Sequence, residues 1–130
     1  MLDTNVISDV IRDPNGRTAA QLEDVGETNA CCSIIVAAEL RYGVAKLGSK
    51  QLARRVETAL SALAIIAFDS PADQAYAKLR LQLTKRGKPI GPNDLLIAAH
   101  ALSEGSTLVT GNVREFKRVT GLSVVNWRTA

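Results

Sequence analysis

Apolar residues recur along this chain at two spacings, and the alternation between them predicts its elements. From Thr4 to Arg12, the residues Val6, Ile7, Val10 and Ile11 form a stripe at helical spacing, and the turn "DPNG" (13–16) stops it. A short helix is predicted from Thr18 to Val25, closed by Gly26, and "NACCSII" (29–35) reads as a strand. Val36 to Leu47 places Val36, Leu40, Val44 and Leu47 on one helix face, with Gly48 just beyond its end. Gln51 to Leu63 does the same with Leu52, Val56, Leu60 and Leu63. "AIIAF" (64–68) is a short buried strand. "SPAD" (70–73) predicts a helix start with Ser70 as cap, Pro71 at the first position and Asp73 at the capping-box position. That helix ends near "KRGKP" (85–89). A helix over 93–104, a strand "TLVT" (107–110) and a strand "LSVV" (122–125) complete the pattern, with Met1-Leu2 as the end of a first strand.

Five apolar strands separated by helices predict an α/β fold, with a mostly parallel five-stranded sheet and helices on both faces. At 130 residues the chain fits one domain, residues 1–130, with room for a real core. In such sheets the functional crevice lies at the carboxyl ends of the strands, where the strand order reverses.

Composition changes this picture little. Hydrophobic residues make up 46% and charged residues 22%, as in an ordinary globular protein. Aromatics are only 4%, which argues against nucleic-acid binding by base stacking. The net charge of +3 permits a polyanionic partner. Cys31 and Cys32 are adjacent in a predicted strand and so point to opposite faces, which suits a reduced, cytoplasmic chain. No secretory signal and no apolar run long enough for a membrane span is present, so neither export nor membrane insertion is expected. No G-x-G-x-x-G follows a strand, which excludes a dinucleotide fold. A haloacid-type phosphatase would want a second acid two residues after Asp3, where Asn5 stands.

The stretch "GPNDLLIAAHAL" (91–102) carries the chemistry. From Leu95 to Leu102 every residue but His100 is apolar, so the helix is expected to be buried on most sides, yet it opens with Asp94. Ionised carboxylates are rarely buried unless paired or bound to a metal. The topology gathers Asp94 with three other polar residues: Asp3 ending the first strand, Glu39 in the first turn of the helix after the second, and Asn112 just past the fourth. Taken singly, each has a commoner reading as a first-turn acid, a surface helix residue or a turn former. Taken together, three carboxylates on one rim repel one another and raise each other's pKa values. A hard divalent cation such as Mg²⁺ or Mn²⁺ relieves that repulsion, helped by the helix N-terminus.

"MLDTNVIS", "AAELRYG", "GPNDLLIAAHA" and "LVTGNVREFKRV", in this order and at these gaps, resemble the PIN-domain ribonucleases, specifically the VapC toxins of bacterial toxin–antitoxin pairs. The resemblance runs from Met1 to about Trp127. It implies a five-stranded parallel sheet wrapped by helices and RNA hydrolysis with Mg²⁺ or Mn²⁺. It puts the three metal-binding acids on Asp3, Glu39 and Asp94, and the fourth catalytic position on Asn112. It further implies a homodimer and a VapB-like antitoxin whose apolar segment wraps residues 36 to 63 and pushes a basic side chain into the site. Operator DNA would be met only through that antitoxin. Similarity to the "PIGPND" and "NVREF" type implies a tRNA substrate. The chain departs from the pattern in two places. Asn112 stands where an Asp is common, leaving Glu115 as an alternative source of charge that could equally face solvent. Only two residues precede Asp3, and a start upstream of Met1 stays open.

A single histidine leaves no acid–base pair for cleavage through a 2′,3′-cyclic phosphate. His100 lies about 9 Å beyond Asp94 along the helix and roughly 120° around it, and is read as structural. Hydrolysis with a divalent cation, leaving 5′-phosphate and 3′-hydroxyl ends, is the expected chemistry. Thr4, Asn5, Ser8 and Thr110 are candidate supporting donors. Arg80, Lys85, Arg86 and Lys88 on one side, and Arg114, Lys117 and Arg118 on the far rim, are either RNA-phosphate contacts or solvated faces. Asp69 and Asp73 are assigned to a helix start, and Tyr42, Phe116 and Trp127 to packing. The rival function is a weakly active binding subunit acting within an antitoxin–operator DNA complex, which Asn112 favours and the acidic trio opposes.

Overall fold

The computed structural model describes residues 1–129. Seven α-helices are present among them: α1 (Thr4–Arg12), α2 (Arg17–Val25), α3 (Ile34–Leu47), α4 (Lys50–Ser61), α5 (Ala72–Lys85), α6 (Pro92–Glu104) and α7 (Val113–Phe116), with one 3-10 turn at Glu27–Asn29. The strands are β1 (Cys31–Ser33), β2 (Ala64–Ile66), β3 (Leu108–Val109) and β4 (Val124–Val125). β1 pairs in parallel with β2, and β3 in parallel with β4.

The first residues join these two pairs. Leu2 donates its N–H to the Cys31 carbonyl at 2.8 Å and forms a parallel bridge with Val109. Val109 donates to the Met1 carbonyl at 2.8 Å and accepts from the Asp3 N–H at 2.9 Å. The order across the molecule is therefore β2, β1, residues 1–3, β3, β4, and every pairing of strands or bridge within it is parallel. The strands are shorter than the apolar runs predict, and for β1 a helix start consumes the end. The Ser33 hydroxyl caps α3 by accepting from the Ile35 N–H at 3.1 Å, so α3 opens at Ile34 rather than Val36. Glu39 thus stands in the second turn of α3, not the first.

Two further expectations are corrected. Ser70 does not cap α5; Pro71 occupies the cap position without a side-chain bond, and the Ala72 N–H donates to the Asp69 carbonyl at 2.7 Å. Tyr42 is 68% exposed and packs no core, whereas Phe116 is fully buried and Trp127 is packed against the core's edge. Among the described residues, no helix is long and apolar enough to cross a membrane.

α6 runs through the centre of the protein. Ile97, Ala98, Ala99, His100 and Ala101 are fully buried, α5 packs along the helix, and α3 and β1 meet its other sides. The alanines let neighbours approach closely, which is why this helix is apolar nearly all round. Burying the body of α6 leaves Asp94, in its first turn, at the sheet's edge.

Candidate active site

Asp3 follows the central segment and caps α1. Its side chain is 4% exposed with its backbone, yet it is well supplied with donors. It accepts from the Thr4 N–H at 2.8 Å, from the Thr110 hydroxyl at 2.7 Å and from the Asn5 amide at 3.3 Å. These bonds lock the carboxylate in one orientation. Burial nevertheless raises its pKa above the ordinary value, opposed by the Thr110 and Thr4 bonds and reinforced by the charges of Glu39 and Glu115.

Glu39 points back to the same place. The Thr4 hydroxyl donates to its Oε1 at 2.6 Å, and the Asn93 amide, from the first turn of α6, donates to its Oε2 at 3.2 Å. One carboxylate therefore ties α1, α3 and α6 together. Thr4, Asn5 and Thr110 act as the sequence suggests, while Ser8 makes no bond to the acids. Asn93 escapes a sequence reading because it is an unremarkable polar residue beside the more conspicuous Asp94.

Asp94 lies opposite Glu115. A methyl group placed on Gly91 would sit 3.5 Å from Asp94 Oδ2 and 3.6 Å from Glu115 Oε1, so both carboxylates flank this residue. Glu115 accepts from the Gly91 N–H at 2.7 Å and from the Asn112 amide at 2.6 Å. Its pKa is lowered despite partial burial, because those two donors favour the charged form. Asp94 has no such donors and is pushed up to about 7, first by burial and then by the charges of Glu115 and Asp3. Of the two, Asp94 is the one that carries a proton near neutrality. Glu115, the alternative left open by the sequence, is turned inward and supplies a negative charge.

Asn112 is thus placed on the rim through Glu115: its amide donates to that carboxylate, and its backbone N–H donates to the Thr110 hydroxyl at 3.0 Å. Asp3 and Asp94 lie within electrostatic reach of each other and of both Glu39 and Glu115. Among the described residues, no three acidic, histidine or cysteine side chains are drawn together closely enough to hold a metal ion as they stand, and none of the four forms a salt bridge. The result is an open acidic rim. His100 stands apart from it, fully buried, with Nδ1 at 2.8 Å from the Ser33 hydroxyl and its ring edge-on to Phe68 at 5.2 Å. Cys31 and Cys32 are both free thiols, and burial pushes the Cys32 thiol up to about 11, so it is not a nucleophile at neutral pH.

Comparison with known proteins agrees with this architecture. The PIN domain family model matches residues 1–122. The chain is 43% identical over 129 residues to ribonuclease VapC2 of Rickettsia felis, covering 98% of this chain and 96% of that protein. It is 34% identical over 128 residues to the tRNA(fMet)-specific endonuclease VapC of Salmonella typhimurium, with the same two coverages. Its fold is similar to that in the crystal structure of Rickettsia felis VapBC2 bound to a promoter DNA fragment, with a TM-score of 0.90 and 42% identity, over 98% of this chain and 97% of that one. Matches of this extent, on a chain whose Asp3, Glu39, Asp94 and Glu115 share one rim, make it a member of the PIN-domain family and, within that family, of the VapC group.

Proposed function

We propose that the protein is the toxin of a toxin–antitoxin pair and acts as a divalent-cation-dependent endoribonuclease, with tRNA as its substrate. The observation that carries this reading is the acidic rim: Asp3 and Asp94 each feel the charges of both Glu39 and Glu115, and among the described residues none of the four is in a salt bridge. Such a cluster opposes binding of a polyanion unless a cation offsets it. Its donors are hard oxygens and the rim is open, which fits Mg²⁺ or Mn²⁺ retaining several waters rather than an enclosed ion. Asp3, Glu39 and Asp94 would hold the cation, with Glu115 adding charge and Asn112 fixing Glu115.

A cation held there would supply a lowered pKa for its bound water and positive charge to offset that on the phosphate oxygens. The protein's own groups supply position. Asp3 is immobilised by Thr110, Asn5 and the Thr4 N–H. Glu39, fixed by Thr4 and Asn93, can accept a hydrogen bond from the attacking water and align it. Asp94, raised to about 7 by burial and by the charges of Glu115 and Asp3, is the acid whose ionisation a bound cation would most favour.

The antitoxin fits a groove between α1, α3 and α4. It has a volume of about 490 Å³ and an apolar floor of Ile11, Leu40, Val44, Leu47, Leu52 and Val56, with Thr4 and Glu39 also in its lining. An apolar helix or strand laid in it would place a neighbouring basic side chain within reach of the acids. The competing reading, a binding subunit with little nuclease activity, rested on Asn112 lacking charge; Glu115 supplies that charge. Expression of the chain alone in a bacterium should stop growth and fragment RNA, and co-expression with its antitoxin should restore growth. Undiminished growth with folded protein accumulating would contradict the proposal.

A further inference from the structure

The sequence places two basic runs 26 or more residues apart, counted from Lys88 to Arg114, and the fold brings them face to face. Arg86 and Lys88, in the loop after α5, and Arg114, Lys117 and Arg118, in and after α7, line a single cleft of about 870 Å³. The walls are stitched together by the chain itself: Arg118 donates to the Pro89 carbonyl at 3.1 Å, and Arg86 reaches the Arg118 carbonyl at 3.5 Å. All five cations are exposed.

Three features set this cleft apart from an ordinary solvated face. None of these five is in a salt bridge among the described residues, unlike Arg41, which is held by Glu57, and Arg12 and Arg128, which are held by Asp9. The cleft is concave, so the charges converge on one volume and their field is focused there. Both of its walls continue into the acidic rim. The loop that carries Lys88 leads to Gly91, which binds Glu115, and the segment that carries Arg114 carries Asn112 and Glu115 beside it.

Resting on the ribonuclease reading above, we infer that this cleft is the docking channel for the RNA strand, and that Lys88, Arg114 and Lys117 grip backbone phosphates flanking the scissile bond. An acidic active centre repels its polyanionic substrate, and a basic channel opening directly onto it supplies the compensating attraction. The strand is single-stranded or looped rather than duplex. The cleft is walled by a loop and the four-residue α7, with no long helix or ribbon to enter a major groove, and a channel of this kind tracks a single backbone.

The test uses the full chain in EDTA, so that binding is read without cleavage. The probes are a fluorescent RNA hairpin with a single-stranded loop and a duplex DNA of matched length, each titrated at several salt concentrations. The triple variant Lys88→Ala, Arg114→Ala, Lys117→Ala changes only exposed side chains, and its melting temperature is compared with wild type. It should bind the RNA about tenfold to a hundredfold more weakly, and its log–log salt slope should fall by about 2, for three lost contacts to a single strand. Exchanging the same three residues Lys for Arg and Arg for Lys should restore both. Unchanged affinity and slope in the alanine variant, or failure of the charge-preserving variant to restore them, would overturn the inference. So would tighter wild-type binding to duplex DNA than to RNA. If wild type binds RNA as expected but does not cut it when Mg²⁺ is added, the channel stands and the ribonuclease reading falls.

Discussion

Asp94→Asn should abolish RNA cleavage and, at the same time, make the metal-free fold more stable at neutral pH. The two effects share one cause. In the folded protein Asp94 is pushed from the usual 3.8 to about 7, chiefly by burial, then by Glu115 and Asp3. An acid whose folded pKa is raised binds its proton more tightly when folded, so the fold is favoured below the unfolded pKa. That advantage is lost as pH rises from about 4 to about 7, leaving a strained carboxylate above it. Asp94 is only half-buried, and after solvent screening the relief on neutralising it is about 1–2 kcal/mol, a rise in Tm of about 3–8 °C. Asn keeps the size of Asp but forfeits the charge that a cation needs, and cleavage should fall by at least about a hundredfold. Thermal melts in EDTA at pH 5 and pH 7.5 read the stability effect directly. The gap between wild type and variant should open at the higher pH. A variant that is equally stable at both, or that keeps cleaving, would show that Asp94 is not the strained member of the rim.

The second large effect is stabilisation by Mg²⁺ or Mn²⁺ and its loss in Asp3→Asn. A ligand of the native state stabilises in proportion to the logarithm of its concentration over its dissociation constant, about 2.7 kcal/mol at a hundredfold excess. The rim should show at least this much, because the cation also relieves repulsion among Asp3, Glu39, Asp94 and Glu115. Asp3 is the member to change. It is the most buried and the most firmly held, and Asn can still accept from Thr110 or the Thr4 N–H, so the local bonds survive while the charge goes. Differential scanning fluorimetry with and without Mg²⁺ should give a clear rise in wild type and little in Asp3→Asn. Equal shifts in both proteins would place the cation elsewhere.

How much of this was legible in the sequence varies by physical origin. The helices were readable because their apolar faces repeat every three to four residues over several turns, and α1 runs from Thr4 to Arg12 as its pattern predicts. Strand ends were less so. Ser33 and Asp3 both terminate a sheet segment and cap the following helix, a dual role that periodicity does not encode. Asp3, Glu39 and Asp94 could be gathered from topology and from resemblance, since Asp3 ends a strand, Glu39 lies in the helix after one, and Asp94 opens the buried helix that leads into one. Glu115 could not be settled, because which way a side chain faces on the short α7 depends on Gly91 and Asn112 arriving from other parts of the chain. The basic cleft was half legible: its two runs are plain in the sequence, but their convergence depends on the loop before α6 folding against the residues after α7.

The central claim is that the acidic rim hydrolyses RNA with a divalent cation, and the termini of the products test it most directly. A defined RNA is cut with purified protein freed of antitoxin, and both new ends are mapped. The buried His100, bonded to Ser33, leaves no acid–base pair at the rim for attack by the ribose 2′-hydroxyl, whereas the proposed mechanism has a water, aligned by Glu39, attack phosphorus directly. Cleavage should require Mg²⁺ or Mn²⁺, stop in EDTA, and leave a 5′-phosphate and a 3′-hydroxyl, so that the downstream fragment ligates without prior kinase treatment. A 2′,3′-cyclic phosphate formed in excess EDTA would contradict the account and leave the four carboxylates without a role.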